Sequence, residues 1–405
     1  MNFDRRQARA EKRDVIYREK IHEEKTEKAI PTKGIVDVPF LLITAALLLF
    51  GCVMVYSASS VYAEQYHDDT TYFIARHLVF ILMGVAFASF IAAFCTPIFW
   101  RDLSYILFGI SIVLLLLVPL IGTDLGSGAK RWLDFKVFTL QPSEIAKLAL
   151  VLSLARFMSD HEKKILSEHR FGGSFKYGVL FPGIFIVTLI GLIAIEKHIS
   201  GVMIIGMIGM AVMFLGGTRM RWIIGIGAAI VCAGCLLVLV SEYAQTRVLT
   251  WWNIEEADPL GSAWQTLQGL MAIGSGGIFG TGLGNSRQKF GYVSQPQNDF
   301  IYTIVCEELG FFGALLVVAL FVALVWRGFY IARHLPDKCS ALIVYGLSFK
   351  VALQVILNIA VVTNMMPNTG IALPFFSYGG TSLILQIVEV GIILSLSRYA
   401  SHRKV

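Results

Sequence analysis

Ten apolar runs of roughly the 20 residues needed to cross about 30 Å of hydrocarbon as α-helix leave this chain little choice of solvent. They centre on Val36 to Tyr56, Phe73 to Phe94, Leu103 to Ile121, Ile145 to Phe157, Val179 to Ile195, Ile199 to Leu215, Trp222 to Val240, Phe300 to Trp326, Ala341 to Val362 and Thr381 to Leu396. Inside a bilayer each span must satisfy its own backbone polar groups, and runs of this length do so as helices. The expectation is an all-α polytopic membrane protein of about ten transmembrane helices, with large exterior loops after helices 7 and 9. The fourth run is short and opens on polar residues, so its helix is expected to reach back toward Gln141. With 56% of 405 residues hydrophobic and 15% charged, a soluble domain is excluded.

Lys and Arg in the short loops orient the spans. Arg101, Arg156, Lys163, Lys164, Arg170, Arg219, Arg221, Arg327, Arg333, Lys338, Arg398, Arg403 and Lys404 fall on one side, whereas the opposite loop from Ser57 to Thr71 has no Lys or Arg. Both termini are therefore expected in the cytoplasm. Residues 1–34 read as a charged cytoplasmic tail without a cleavable signal peptide, 35–397 as the membrane domain and 398–405 as a second cytoplasmic tail. The net charge of +6 arises at span ends, where it meets membrane lipid, and implies no nucleic acid.

The cations that break this rule are more informative. Lys130 and Arg131 lie beside Trp132 in the exterior stretch "GTDLGSGAKRWLDF", and Lys197, Arg247, Arg287 and Lys289 are also placed outside. Adjacent Lys and Arg next to an interfacial Trp suit an anionic head group, because both bind phosphate through charge-assisted hydrogen bonds. Two long exterior segments, Ser241 to Asn298 and Thr363 to Ser382, are rich in Gly and Pro. Such backbone beside hydrocarbon must line protein or a water-filled cavity, so both are expected to border one cavity open to the outside. Pro367, Pro374, Gly379 and Gly380 are expected to shape the second segment, Pro by fixing φ and Gly by allowing positive φ. The run "GTGLG" at Gly280 to Gly284 follows no strand and is not a dinucleotide fingerprint. The six cysteines map to spans or their cytoplasmic edges, implying no exterior disulfide.

Ionisable groups in or at the spans are costly and therefore candidates for function. Glu144 and Lys147, three apart on one helix face, form a candidate ion pair near the outer surface. Glu196 and His198 sit at the tight turn between spans five and six. Asp299 stands at the threshold of span eight, with Glu307 and Glu308 deeper in it. Those two lie deeper in the span and round the helix from Asp299, so they are not its simple partners and read as structural hydrogen-bonding groups. The same polar groups would also suit a flippase or transporter of lipid-linked precursors, or a membrane scaffold that needs none of them.

The segments "GAKRWLDF", "QPSEIAKLAL", "SAWQTLQGLMAIGSGGIFGTGLG", "NDFIYTIVCEELGFFG" and "PNTGIALPFFSYGGTSL" together resemble the SEDS family of bacterial cell-wall polymerases, whose members include FtsW, RodA and SpoVE. The charged amino-terminal tail, "VMVYSASS" and "EKHISG" are most similar to the FtsW and SpoVE branch. The resemblance implies a peptidoglycan glycosyltransferase in the bacterial cytoplasmic membrane, its active site facing outward, that polymerises lipid II, most simply for septal synthesis. It places Asp299 at the catalytic aspartate. It extends the candidate substrate contacts from Lys130, Arg131, Trp132, Glu144, Lys147, Glu196 and His198 to Gln265, Gln268, Ser377 and Tyr378. It further implies a class B penicillin-binding protein and other division proteins as partners. A divalent cation, Mg or Mn, is expected from pyrophosphate chemistry, although no cluster shows a metal-binding spacing.

Overall fold

The computed structural model describes residues 33–124, 130–135, 139–167, 173–240, 242–254, 258, 261 and 263–400. Most of the first tail, the last five residues and the loop before Lys130 lie outside them.

Helices account for nearly all of the regular structure. In chain order they are α1 (Val38–His67), α2 (Tyr72–Phe94), α3 (Pro97–Ile121), α4 (Pro142–Asp160), α5 (Glu162–Ile165), α6 (Phe181–Ile195), α7 (Ile199–Leu215), α8 (Met220–Val240), α9 (Glu242–Trp252), α10 (Trp264–Gly276), α11 (Ile301–Arg333), α12 (Lys338–Val362) and α13 (Gly380–Ser397). A π-helical turn, Lys176–Leu180, leads into α6. Each of the ten apolar runs falls on one of these helices. Among the described residues, seven helical stretches are long and apolar enough to cross a membrane by themselves. Their outer faces expose large apolar side chains, Leu49 at 69%, Leu82 at 69% and Leu120 at 73% among them, as a lipid solvent requires. The chain is a multi-pass membrane protein.

Local chemistry sets several helix ends. Asp37 accepts the Phe40 amide at 2.9 Å with Pro39 in the first turn of α1, and Asp337 caps α12 by accepting the Ser340 amide. The helix on the fourth run starts at Pro142, with Gln141 at its cap, and is buried on almost every face from Pro142 to Met158. It forms the centre of the bundle, which is why its sequence lacks an amphipathic stripe.

The two ends of the described chain meet at one face. The Gly34 amide donates to the Arg398 carbonyl at 2.7 Å, and Arg327 forms a two-pronged pair with Asp37, closest at 2.8 Å. Arg101 with Asp160 and Lys338 with Glu162 lie at this same end. The starts of α4, α7, α11 and α13 gather at the other.

Three features depart from the sequence reading. The exterior segment after α8 is not simply irregular, because it folds into α9 and α10, and α10 packs against α11 so closely that a Cβ at Gly276 would sit 2.0 Å from the Cys306 carbonyl oxygen. A short antiparallel pair that the sequence did not announce, β1 (Leu133–Asp134) against β2 (Thr139–Leu140), joins Leu133 to Leu140 within an all-α polytopic fold. Span eight is broken at Gly310, with φ 66° and ψ −163°. That break deprives four backbone groups of helical partners, and the glycine-rich run supplies them. Thr281 and Gly282 amides donate to the Glu307 and Glu308 carbonyls, while the Phe311 and Phe312 amides donate to those of Gly277 and Ile278. Only glycine fits at Gly280, where φ is 80° and a Cβ would lie 2.2 Å from the Glu308 carbonyl oxygen. The "GTGLG" run is thus a close-approach motif.

Candidate active site

A cavity of about 480 Å³ opens between the helix ends opposite the termini. Both long Gly- and Pro-rich segments reach it, as expected of a shared cavity. Its wall carries Arg131 and Trp132 just ahead of β1, Glu144 and Lys147 from α4, His198 from the α6–α7 turn, Asn298 and Asp299 ahead of α11, Gly370 to Ala372, Tyr378 and Gly379 from the last long loop, and Gly380 at the start of α13. The loop is tied down around it. Ser200 donates to the Thr369 carbonyl at 2.6 Å, and Thr381 to that of Thr139 at 2.7 Å.

Asp299 is half-buried. Its backbone is fixed by Asn358 of α12, whose amide donates at 2.7 Å to the Asp299 carbonyl and at 2.7 Å to that of Ile371, joining two walls of the cavity. Gly370, at φ 64°, lies against the carboxylate, where a Cβ would come 3.5 Å from Asp299 Oδ2. Burial lifts the carboxyl from 3.8 to about 6, and hydrogen bonds from its own amide and that of Phe300 only partly offset this. The amides at the helix start therefore favour the ionised form less than burial opposes it.

The adjacent exterior cations part company. Arg131 lines the cavity and donates to the Lys197 carbonyl at 2.8 Å, while Lys130 is exposed and off its wall. Trp132 reaches the wall through the Thr123–Trp132 bridge. Glu144 and Lys147 are buried and paired at 2.5 Å. His198 lines the wall; burial first, then Lys147 and Arg131, lower its pKa to about 4, so at neutral pH it is an uncharged ring. Glu196 is buried behind the turn, off the wall, and neither carboxylate oxygen has a hydrogen-bond partner among the described residues. Burial outweighs Arg131 and raises Glu196 to about 8, so it is mainly protonated at pH 7.

Gln265, Gln268 and Ser377 are not brought to the wall. Gln265 braces two loops, donating to the Ser294 carbonyl and accepting from Asn368, both at 3.3 Å. Gln268 is buried on α10, and Ser377 closes a turn by accepting the Leu373 amide at 2.7 Å. Tyr378 does face the cavity, its ring edge-on to Phe73. Pro374 is buried and Pro367 half-buried behind the wall. Gly379 and Gly380 line it, but neither has the positive φ expected. Gly379 is extended at φ −167° and Gly380 begins α13, so the demand is space: a Cβ on Gly380 would be 3.1 Å from the Phe80 ring. In this loop Asn364, Gly370 and Phe375 hold positive φ instead.

Sequence reading passed over Gln354 and Gln386, which line the wall, and Lys350 and Glu389 beneath it. A Lys and a Glu within the ninth and tenth apolar runs carry the same cost signal that singled out Asp299. Lys289, placed by sequence among exterior loop charges, is buried and paired with Glu308 at 3.2 Å.

Comparison with known proteins gives a consistent result. The family model for FtsW, RodA and SpoVE, described as "Cell cycle protein", matches residues 38–402. Stage V sporulation protein E of Bacillus subtilis is 39% identical over 369 residues, covering 90% of this chain and 98% of that protein. A probable peptidoglycan glycosyltransferase FtsW of Trichlorobacter lovleyi is 36% identical, covering 89% and 93%. Among solved structures, a chain of a peptidoglycan synthase complex coordinating polymerization and crosslinking aligns with a TM-score of 0.74 at 25% identity, covering 90% of this chain and 98% of that one. Thermus thermophilus rod shape determining protein RodA aligns at 0.67 with 24% identity, over the same shares.

Proposed function

The chain belongs to the FtsW, RodA and SpoVE family, and from that premise we propose that it is a peptidoglycan glycosyltransferase polymerising lipid II, with Asp299 as its general base. The observation that carries the assignment is a half-buried carboxylate on the wall of a cavity that also presents Arg131 and Lys147. An inverting glycosyl transfer needs a base for the acceptor hydroxyl and compensation for the departing charge on the other face of the sugar carbon. Asp299 takes the proton from the GlcNAc 4-hydroxyl as its oxygen attacks. The undecaprenyl pyrophosphate leaves as an anion toward Arg131 and Lys147. A base near 6 is well matched to work near neutrality, since it is mostly ionised yet not feebly basic.

The cavity opens at the end of the bundle opposite the termini. The Lys and Arg pattern favours cytoplasmic termini, which supports an outward-facing site. The relatives named for sporulation and for FtsW support a division-type role over elongation. A class B penicillin-binding protein is the partner this reading implies, supported by the likeness to a chain of a synthase complex that couples polymerization to crosslinking. Among the described residues, no group of three or more His, Cys, Asp or Glu is placed to hold a metal ion. Arg131 and Lys147 of the wall are the groups this reading assigns to charge compensation, and a divalent cation carried mainly by the substrate's own phosphates would need no such cluster.

Purified protein given labelled lipid II, with its partner's transpeptidase blocked, is expected to yield glycan strands. Movement of lipid II across a liposome bilayer without strands would favour a flippase instead. In the same assay Arg131→Ala is expected to raise the KM for lipid II by about tenfold or more, the scale of a lost hydrogen bond to a charged group, while Lys130→Ala changes it by less than about twofold. Equal effects from the two would contradict the placement of Arg131 at the pyrophosphate. The ionisation of Asp299 sets the pH profile as well. Its base form is lost as pH falls through about 6, so kcat/KM is expected to drop tenfold per pH unit on the acid side of that value. A flat profile down to pH 5 would assign the proton to another group.

A further inference from the structure

Two buried charges close to the cavity have no part in the reading above. Lys350 on α12 is 0% exposed and Glu389 on α13 is 2% exposed, and neither lines the wall. The Lys350 ammonium lies 2.6 Å from Glu389 Oε1 and 3.8 Å from Glu144 Oε2, while Lys147 holds Glu144 Oε1. Lys147, Glu144, Lys350 and Glu389 therefore form a chain of alternating sign across α4, α12 and α13. Only the first two members face the cavity. Among the described residues, the Oε2 atoms of Glu144 and Glu389 have no hydrogen-bond partner.

This order has a chemical consequence. A buried Lys with one close carboxylate is neutralised by it, and withdrawing the Lys strands a buried anion, which is strongly unfavourable. Were Glu144 paired only with Lys147, that cost would oppose any move of Lys147 toward a substrate phosphate. Lys350, on the other oxygen of the same carboxylate, removes the difficulty. We propose that Lys350 and Glu389 are a positioning pair that serves as reserve counter-charge for Glu144, so that Lys147 can pass from Glu144 to the pyrophosphate of the lipid-linked substrate. As Lys147 turns to the anion, Glu144 closes on Lys350. Glu389 holds Lys350 back until then, which explains why its distance to Glu144 is 3.8 Å and that to Glu389 is 2.6 Å. No covalent bond changes. The inference rests on the reading of the cavity as the lipid II site and of Lys147 as a phosphate ligand.

The test measures kcat and KM for lipid II in the full-length purified protein with its partner, together with thermal unfolding. The neutral double variant Lys350→Met with Glu389→Leu removes both charges without stranding either. It is expected to raise KM about tenfold with kcat within about twofold, because Lys147 is then committed to Glu144. Glu389→Gln works the other way. It leaves Lys350 to settle on Glu144, loosening Lys147, and KM is expected to fall about threefold. Lys147→Met should raise KM by itself and show no further rise when combined with the neutral double, since groups acting through one side chain do not add. A purely structural pair would lower thermal stability, move KM in the same direction in both kinds of variant, and add to Lys147→Met. If Lys147→Met raises KM while the folded neutral double leaves it within twofold of wild type, the positioning role is overturned and the site reading stands. If Lys147→Met leaves KM unchanged, the site reading itself falls, and the inference with it. Should the double variant not accumulate, Glu389→Gln alone decides, an unchanged or raised KM overturning the proposal.

Discussion

Asp299→Asn is expected to insert, fold and bind its partner like the wild type while losing glycan polymerisation by about 10² to 10⁴, the range for removing a positioned general base. The substitution is nearly isosteric. The backbone of Asp299 is held by Asn358 through its carbonyl, a contact that an Asn side chain does not disturb. Gly370 leaves the same space beside it. What changes is proton affinity, because a carboxamide cannot accept the acceptor sugar's proton near neutral pH. Burial lifts the carboxyl to about 6, a proton affinity near neutrality that the carboxamide does not supply. A flippase or scaffold using the same cavity makes no such demand on that atom. Wild type and variant are compared on labelled lipid II with the transpeptidase blocked, and strands are resolved by gel. Wild-type strand yield from Asp299→Asn would defeat the assignment, provided the variant unfolds at the wild-type temperature.

The parts of the site legible in the sequence are those where a local rule was broken. Arg131 stood out as a cation on the wrong side, Asp299 as a carboxylate at a span threshold, and Glu144 with Lys147 as a charged pair three residues apart; all four meet at one cavity. Helix positions were legible for the same reason, since membrane length dictates run length. What could not be read were relations between distant segments. Nothing near Lys289 announces that it turns inward to Glu308, because the pairing spans the fold of residues 277–293 against α11. Lys350 and Glu389 lie 39 residues apart, so their neutralising contact is tertiary. The requirement for glycine at Gly280 is likewise set by the Glu308 carbonyl, through a break in α11 that run length conceals. Gln265 and Ser377 look like polar contacts in sequence, yet each is spent on a loop.

Lys289→Met is expected to destabilise the protein by about 3 to 5 kcal/mol, the cost of leaving one partner of a buried ion pair alone. Glu308 is 0% exposed and sits at the helix break, where Ser57 of α1 donates to its carboxylate at 2.6 Å and the Ser286 amide at 3.3 Å. Lys289 supplies its only cation among the described residues, and also ties the Gly284 carbonyl at 2.6 Å. Glu307 beside it is bound by the Ser286 hydroxyl and by the Arg287 amide at 2.8 Å. The two glutamates thus anchor the chain from Gly277 to Lys289 that satisfies the broken backbone at Gly310. With Lys289 gone, hydroxyl and amide donors remain but the charge is uncompensated in a low-dielectric interior. The loss should loosen this segment, and with it the approach to Asp299 only ten residues beyond. Removing both partners, Lys289→Met with Glu308→Leu, strands no charge and is expected to recover more than half of the lost stability. Thermal unfolding in detergent of the two variants and wild type reads the difference. A single variant as stable as wild type, or a double variant less stable than the single, would show that the pair does not hold the segment in place.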